Sequence, residues 1–186
     1  MKRRPTQTLE RGELAPPVTK EDHIQGDRKA PVTLLEYGDY ECPYCGAAHR
    51  LVKMLREAMG NDLCYVYRNF PLTEVHPHAE HAAEAVESAD AQGRFWEMHD
   101  AVFENQDALE DDDLASYAAD IGLDANRVVA EIELEKYRPR IEKDIRSGTQ
   151  SGVEGTPTFF INAVKYEGPM DPESMLTALQ DARERR

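Results

Sequence analysis

The segment Pro31–Cys45, PVTLLEYGDYECPYC, carries most of the information on fold and chemistry in this sequence. Its first half is a short apolar, β-branched run after a proline, which predicts a buried strand ending at Tyr37. Gly38 and Asp39 then indicate a turn, and the two cysteines follow it. Apolar residues next recur at helical spacing as far as Gly60. The segment therefore predicts a strand, a turn and a helix, with both cysteines at the junction.

The residues that follow this helix predict the rest of the fold. Leu63–Phe70 predicts a second strand, which is parallel to the first because a helix connects the two. Residues 76–150 show only helical periodicity, with no linker, and indicate a helical insertion within one domain. Two short strands flank Asn162-Ala163 and predict a hairpin, and Asp171-Pro172 predicts the start of a closing helix. We expect an α/β fold in the order β-α-β, helical insertion, β-β-α.

Length and composition limit the domain organisation and the classes of partner. A chain of 186 residues is expected to form one domain. Prolines and charges at the start predict a flexible N-terminal arm over residues 1–20, which leaves the domain to residues 21–186. The formal net charge of −14 argues against nucleic acid as a partner. No apolar run approaches the ~18 residues of a membrane span, so none is expected.

The N-terminal residues and the number of cysteines suggest a cellular compartment. Lys2-Arg3-Arg4 is a basic cluster, but the apolar stretch of a signal peptide does not follow it. We therefore expect a cytoplasmic protein, or one of the cell envelope if a leader has been removed. Three cysteines are too few for a disulfide-stapled secreted domain. A close cysteine pair in a reducing compartment points instead to catalysis or metal binding.

The position of the Cys42–Cys45 pair suggests a division of labour between the two thiols. Cys42 lies just before the first helical turn, where free N–H groups and the helix dipole stabilise a thiolate. Pro43 suits the first helical position because its missing N–H costs nothing there. Cys45 lies one turn further into the helix and is shielded. We expect Cys42 to be the exposed attacking thiolate and Cys45 to resolve the mixed disulfide.

Two further segments are candidates for supporting roles. Glu36 lies inside the apolar strand before the cysteines, where burial would raise its pKa and allow it to move the proton of Cys45. A strand position facing solvent is the alternative for Glu36. Thr156-Pro157 precedes the third strand, and from the residues alone an ordinary trans turn proline is favoured over a cis one.

Several stretches of the sequence resemble a known family. Leu35–Cys45 and Gly152–Phe159 are similar to the two active-site segments of the DsbA family of thioredoxin-fold oxidoreductases. His76-Pro77 and Gly93–Asp100 resemble that family's helical insertion. The similarity spans about residues 20–182, and this combination of segments is far more specific than two cysteines three residues apart.

The resemblance implies a thioredoxin-like fold and a thiol–disulfide oxidoreductase whose redox pair is Cys42 and Cys45. It also implies that Pro157 is cis and packs against this pair, and that Thr156 offers its backbone to an extended substrate peptide. Glu36 matches the family's buried acid. The implied partners are thiol or disulfide substrate proteins and a redox recycling partner, and no cofactor is expected.

Two residues depart from the family's pattern. The founding oxidants have His at the position of Tyr44, and a phenol stabilises a thiolate less than a cationic imidazole. We therefore expect a less oxidising couple than the about −120 mV of DsbA. Relatives often have Gly at the position of Ala163, and its absence disfavours a type I′ turn in the hairpin.

Two other functions stay open on the sequence. His76, His78 and His81 could combine with the cysteine pair in a structural metal site, although these histidines are expected at a helix start or on the surface. A non-catalytic module could instead use the peptide groove beside Pro157. The third cysteine, Cys64, is expected to be a small buried residue in the second strand.

Overall fold

A five-stranded mixed sheet forms the centre of the molecule, in the order β1-β3-β2-β4-β5. The structure is a computed structural model, and it describes residues 13–185. The strands are β1 (His23–Gln25), β2 (Val32–Gly38), β3 (Leu63–Asn69), β4 (Thr158–Ile161) and β5 (Val164–Lys165). β2 is parallel to β3 and antiparallel to β4. The α/β class is confirmed, and so is the predicted order of elements from β2 onward.

The central strand β2 is apolar along its length because both of its faces are covered. Leu34 and Tyr37 are fully buried, and Leu35 is 1% exposed. A strand covered on two sides has no solvent-facing positions, so its sequence is a continuous apolar run and does not alternate. Glu36 is the one carboxylate within this run, and it pairs in register with Tyr67 of β3.

The helix α1 (Pro43–Met59) follows β2 after a four-residue turn. Cys42 is its N-cap residue, with φ −72° and ψ 120°, and Pro43 occupies the first turn, as the sequence predicted. The helix ends at Gly60, whose φ of +54° favours glycine. Ala48 and Leu55 lie on the face of α1 that packs into the core.

Five helices form the insertion between β3 and β4. They are α2 (Ala79–Asp90), α3 (Phe95–Glu104), α4 (Asp111–Asp120), α5 (Ala125–Glu133) and α6 (Arg138–Gln150). Helix α2 packs against both α3 and α5. Ala82 and Ala89 are fully buried in α2, and such small side chains let helix backbones approach closely. Helix α3 also contacts α1, which places the insertion beside the cysteine-bearing helix.

The hairpin of β4 and β5 differs in one respect from the sequence prediction. Asn162 and Ala163 have φ of +47° and +69°, so both lie in the left-handed region of a type I′ turn despite the missing glycine. The turn therefore forms although alanine is less favoured than glycine at this φ. Two hydrogen bonds anchor the turn: the Thr33 N–H donates to Asn162 Oδ1, and the Asn162 N–H donates to the Thr33 carbonyl. The closing helix α7 (Pro172–Glu184) is capped by Asp171 as predicted.

The N-terminal residues are described from Glu13 onward. Leu14 is 6% exposed and its N–H donates to the carbonyl of Ala163. The predicted arm over residues 1–20 thus lies partly outside the described residues, and the boundary between arm and domain stays a prediction. Strand β1 was not predicted. Within residues 13–185 no helix is both long and apolar enough to cross a bilayer.

Candidate active site

The two cysteines lie where β2 gives way to α1, and neither is in a disulfide. Cys45 is fully buried inside the first turn of the helix. Cys42 is only 3% exposed, so the prediction that it would be exposed is wrong. The reason is the turn before β4, which covers it: Cys42 Sγ lies 3.5 Å from the carbonyl oxygen of Thr156.

This covering turn contains the proline singled out in the sequence. The Thr156-Pro157 peptide bond is cis, as the family resemblance implied and against the trans form favoured by the residues alone. The Thr156 hydroxyl oxygen is buried and has no hydrogen-bond partner among the described residues. Segments distant in sequence thus bring together Cys42, Cys45, Thr156 and Pro157.

The surroundings of Cys42 favour its thiolate. The hydrogen bond from the Cys45 thiol lowers the pKa of Cys42 most, and the N–H groups of Cys45 and Tyr44 lower it further. Burial opposes these effects, but the resulting pKa is about 5, against 9.0 for an unperturbed thiol. Cys42 is therefore ionised at neutral pH.

Cys45 has the opposite character. Burial raises its pKa far above the usual thiol range, and the nearby charges of Cys42 and Glu36 raise it further. The Asp39 N–H donates to its sulfur at 3.4 Å. Cys45 is therefore a neutral thiol at physiological pH, and its deprotonation needs a local base.

Glu36 is close enough to both cysteines to interact with them electrostatically, and it is 1% exposed, which excludes the solvent-facing alternative. Burial raises its pKa to about 8, and the charge of Cys42 raises it as well. The hydrogen bond from the Tyr65 hydroxyl to Oε2, 2.7 Å long, acts in the other direction. Oε1 is buried without a hydrogen-bond partner among the described residues. One carboxylate oxygen is thus free to accept or release a proton near neutral pH.

Pro43 and Tyr44, between the two cysteines, are exposed. The Tyr44 ring is 68% exposed, which makes it one of the most exposed large side chains of the described residues. Together they form the exposed surface between the two cysteines.

Asp39 was not predicted as a site residue. It is 1% exposed, and its carboxylate accepts four hydrogen bonds. Oδ1 accepts from the N–H groups of Glu41 and Cys42, at 2.8 and 3.2 Å. Oδ2 accepts from Leu72 N–H and His76 Nδ1, each at 2.8 Å. The only sequence signal is an Asp three residues before the helix N-cap, a position from which Asp bonds to the following backbone.

Gln106, which follows α3, was also missed. Its Nε2 donates to the carbonyls of Tyr40 and Cys42, at 2.7 and 2.9 Å. Gly46 makes room for it, because a Cβ on Gly46 would lie 1.9 Å from Gln106 Oε1. The glycine directly after the second cysteine is the only sequence signal, and it does not identify the partner.

The three histidines proposed for a metal site are each paired with a carboxylate. His76 pairs with Asp39, and His78 and His81 pair with other acidic residues, Glu41 and Asp111. Among the described residues, two groups have ligand atoms close enough for a metal: His49, His99 and Asp100, and His23, Glu87 and Asp90. Neither group contains a cysteine or one of the three histidines. The Cys₂His₂ alternative therefore has no geometric support.

Curated relatives of this chain are much longer proteins. The chain is 44% identical over 161 residues to Na(+)/H(+) antiporter NhaA 3 of Salinispora tropica, covering 87% of this chain and 24% of that protein. It is 42% identical over 171 residues to the antiporter NhaA of Herminiimonas arsenicoxydans, covering 91% and 27%. The chain thus spans about a quarter of the length of these relatives.

The expected cytoplasmic location is wrong. The curated relatives are named as Na(+)/H(+) antiporters, and the chain spans only about a quarter of their length. The prediction rested on the first residues alone. The first residues of this chain are not a guide to location, because the chain matches only about a quarter of the length of its curated relatives.

Solved structures of DsbA-type proteins share the fold. Oxidised BdbD from Bacillus subtilis superposes with a TM-score of 0.83 at 20% identity, over 94% of this chain and all of that one. Pseudomonas aeruginosa DsbA2 superposes with a TM-score of 0.70 at 28% identity, over 88% and 96%. The sequence also matches the family model described as Thioredoxin over residues 18–181. Because that match covers most of this chain, the chain belongs to the thioredoxin family. It also has the fold of the DsbA-like oxidoreductases.

Proposed function

We propose that this protein is a thiol–disulfide oxidoreductase that exchanges disulfides with thiol or disulfide substrate proteins through Cys42 and Cys45. The observation that carries the proposal is the contrast between the two thiols at the start of α1. The pKa of Cys42 is lowered to about 5 and that of Cys45 is strongly raised. A nucleophile that is ionised beside a resolving thiol that stays protonated is the arrangement that disulfide exchange needs.

In the first step the Cys42 thiolate attacks one sulfur of a substrate disulfide. A bond forms between Cys42 Sγ and that sulfur, the substrate S–S bond breaks, and the other substrate sulfur leaves as a thiolate. The Cys45 thiol and the N–H groups of the first helical turn stabilise Cys42 before attack. Because Cys42 is largely covered, we expect the substrate to approach along the Thr156-Pro157 turn, where the Thr156 backbone can pair with an extended peptide.

In the second step Cys45 resolves the mixed disulfide. Glu36 accepts the Cys45 proton through its unpartnered oxygen, and the Cys45 thiolate attacks Cys42 Sγ. The second substrate sulfur leaves as a thiolate and is protonated, which yields a reduced substrate and a Cys42–Cys45 disulfide. Run in reverse, the same steps oxidise a dithiol. A redox recycling partner restores the starting form in either direction.

The pKa of Glu36 suits this role. With a pKa of about 8, Glu36 is mostly protonated at pH 7 while Cys42 is a thiolate. In the mixed disulfide the charge of Cys42, which helps to raise this pKa, is gone, so the ionised carboxylate becomes more available as the proton acceptor at the resolving step. Pro43 and Tyr44 contribute exposed surface to the contact with the partner. The antiporter name of the relatives does not extend to this proposal, because the chain spans about a quarter of their length.

Turnover of a model disulfide tests the proposal. The reduction of insulin by dithiothreitol is measured with the wild-type protein, Cys42→Ser and Cys64→Ser. Cys64 is a matched control because it is also a buried, free cysteine, in β3. We expect Cys64→Ser to retain the activity and Cys42→Ser to lose it.

Two results would sink the proposal: wild-type protein that does not accelerate insulin reduction, or Cys42→Ser that is as active as wild type. The first result would favour the non-catalytic peptide-binding module. Zinc bound in stoichiometric amount to the reduced protein would favour the metal site.

A further inference from the structure

The carboxylate of Asp39 joins the nucleophile's backbone to a histidine that the proposed mechanism does not use. One of its oxygens accepts the Cys42 N–H and the other accepts from His76 Nδ1. A single carboxylate group therefore separates the imidazole from the first residue of the redox motif. His76 lies between β3 and α2, in a segment that Asp39 also holds through the Leu72 N–H.

The charges around His76 favour the imidazolium form. Partial burial lowers its pKa, but the hydrogen bond and charge of Asp39 outweigh this effect, and the charges of Cys42 and Glu41 add to it. The net pKa of His76 lies above its usual value. Electrostatic interaction is mutual, so a thiolate that favours the imidazolium is itself favoured by it.

The other nearby histidine is less suited to this role. His78 is paired with carboxylates on both ring nitrogens, Glu41 at 2.9 Å and Glu110 at 3.1 Å. Its side chain is 38% exposed, against 19% for His76, so solvent screens its charge more. The carboxylate that bridges to Cys42 is bonded to His76 and not to His78.

We propose that His76, oriented by Asp39, is the cationic group that stabilises the Cys42 thiolate and so makes the couple more oxidising. It is a positioning residue that acts on Cys42 through charge and through the shared carboxylate. The motif itself carries no cation, since Tyr44 lies between the cysteines. This inference rests on the proposed function, and it names the residue that tunes the reduction potential of the same site.

Loss of the imidazolium charge should destabilise the Cys42 thiolate and make the redox couple less oxidising. A neutral residue 76 leaves the negative charge of Asp39 uncompensated beside Cys42, which disfavours the thiolate. Because the thiolate belongs to the reduced form, the reduced form becomes less stable and the couple less oxidising. No bond is made or broken by His76 itself.

His76→Asn tests the proposal, because the Asn amide can donate to Asp39 in place of Nδ1 without a charge. Two quantities are measured: the pH midpoint of Cys42 alkylation and the equilibrium constant with glutathione. We expect the alkylation midpoint to rise by about 0.5–1 pH unit. We expect the equilibrium constant for reduction of the protein by glutathione to fall roughly three- to tenfold. His76→Lys restores a cation and should return both values towards wild type.

His81→Asn is the matched control, because His81 is also paired with a carboxylate through Nδ1 but at Asp111 in α4. It should leave both quantities unchanged. The inference is overturned if His76→Asn has the same alkylation midpoint and the same glutathione equilibrium constant as wild type. The proposed function is unaffected by that result as long as the wild-type protein is active. An inactive wild type whose Cys42 titrates like a free thiol removes the proposed function instead.

If His76→Asn does not fold, the wild-type residue is titrated by NMR. The pKa of His76 is compared in reduced wild type and in Cys42→Ser. We expect a lower value in Cys42→Ser, because the thiolate that favours the imidazolium is gone. Equal values in the two proteins overturn the inference.

Discussion

Glu36 makes the stability of this protein depend on pH in a way that a single substitution removes. The carboxyl is 1% exposed, with one oxygen bonded to the Tyr65 hydroxyl and the other unpartnered among the described residues. Glu36→Gln keeps an oxygen that accepts from Tyr65 and has nearly the same volume, but it cannot ionise. The variant therefore isolates the cost of a buried charge.

The magnitude follows from the pKa of Glu36, which is about 8 in the folded protein against 4.5 for an unperturbed carboxyl. Between these two values the unfolded chain has released the proton and the folded protein retains it. The free energy of unfolding therefore falls as the pH rises, by about 1.4 kcal/mol per pH unit. The stabilising contribution of the protonated carboxyl is complete below pH 4.5 and is lost by pH 8, a total of about 5 kcal/mol.

Urea unfolding of the reduced protein between pH 4 and 9 measures this difference. We expect Glu36→Gln and wild type to be equally stable near pH 4, and the variant to become several kcal/mol more stable above pH 8. Glu57→Gln, at an exposed position in α1, is the control and should follow the wild-type curve. Parallel curves for Glu36→Gln and wild type would refute the reasoning.

Three further substitutions have distinct expected outcomes. Cys45→Ser removes the resolving thiol, so mixed disulfides with substrate should accumulate on a non-reducing gel; their absence contradicts the assigned roles. Gly46→Ala should displace Gln106 from its two carbonyl partners and lower the free energy of unfolding by about 1–2 kcal/mol. The same loss in Gln106→Ala and no further loss in the double variant would confirm it, and additive losses would not. Gly148→Ala places a Cβ 2.7 Å from the Phe70 ring and should cost about 1–3 kcal/mol in urea unfolding; an unchanged midpoint argues against it.

The sequence predicted the part of the site that residues close together in the chain determine, namely the end of β2 and the start of α1. The apolar run of β2, the proline at the first turn of α1 and the glycine that ends it act within a few residues of one another. Cys42 was therefore placed at the N-cap from the sequence alone. The burial of Glu36 also follows from its neighbours, because a carboxylate inside a continuous apolar strand has no solvent-facing side.

Contacts between distant segments were not predictable in the same way. Cys42 was expected to be exposed, but Thr156, more than a hundred residues later, covers it. The hydrogen bonds of Asp39 to His76 and of Gln106 to the Cys42 carbonyl depend on where the insertion folds back. Strand β1 has three residues, too few to show a period, and it forms by pairing with β3.

The pH dependence of Cys42 alkylation tests the central claim most directly, because exchange through this pair requires a thiolate at neutral pH. The rate is measured in Cys64→Ser, which leaves the redox pair as the only thiols. We predict an inflection near pH 5, set by the hydrogen bonds from Cys45 and the start of α1. An inflection at or above the about 8.5 of a free thiol would contradict the account.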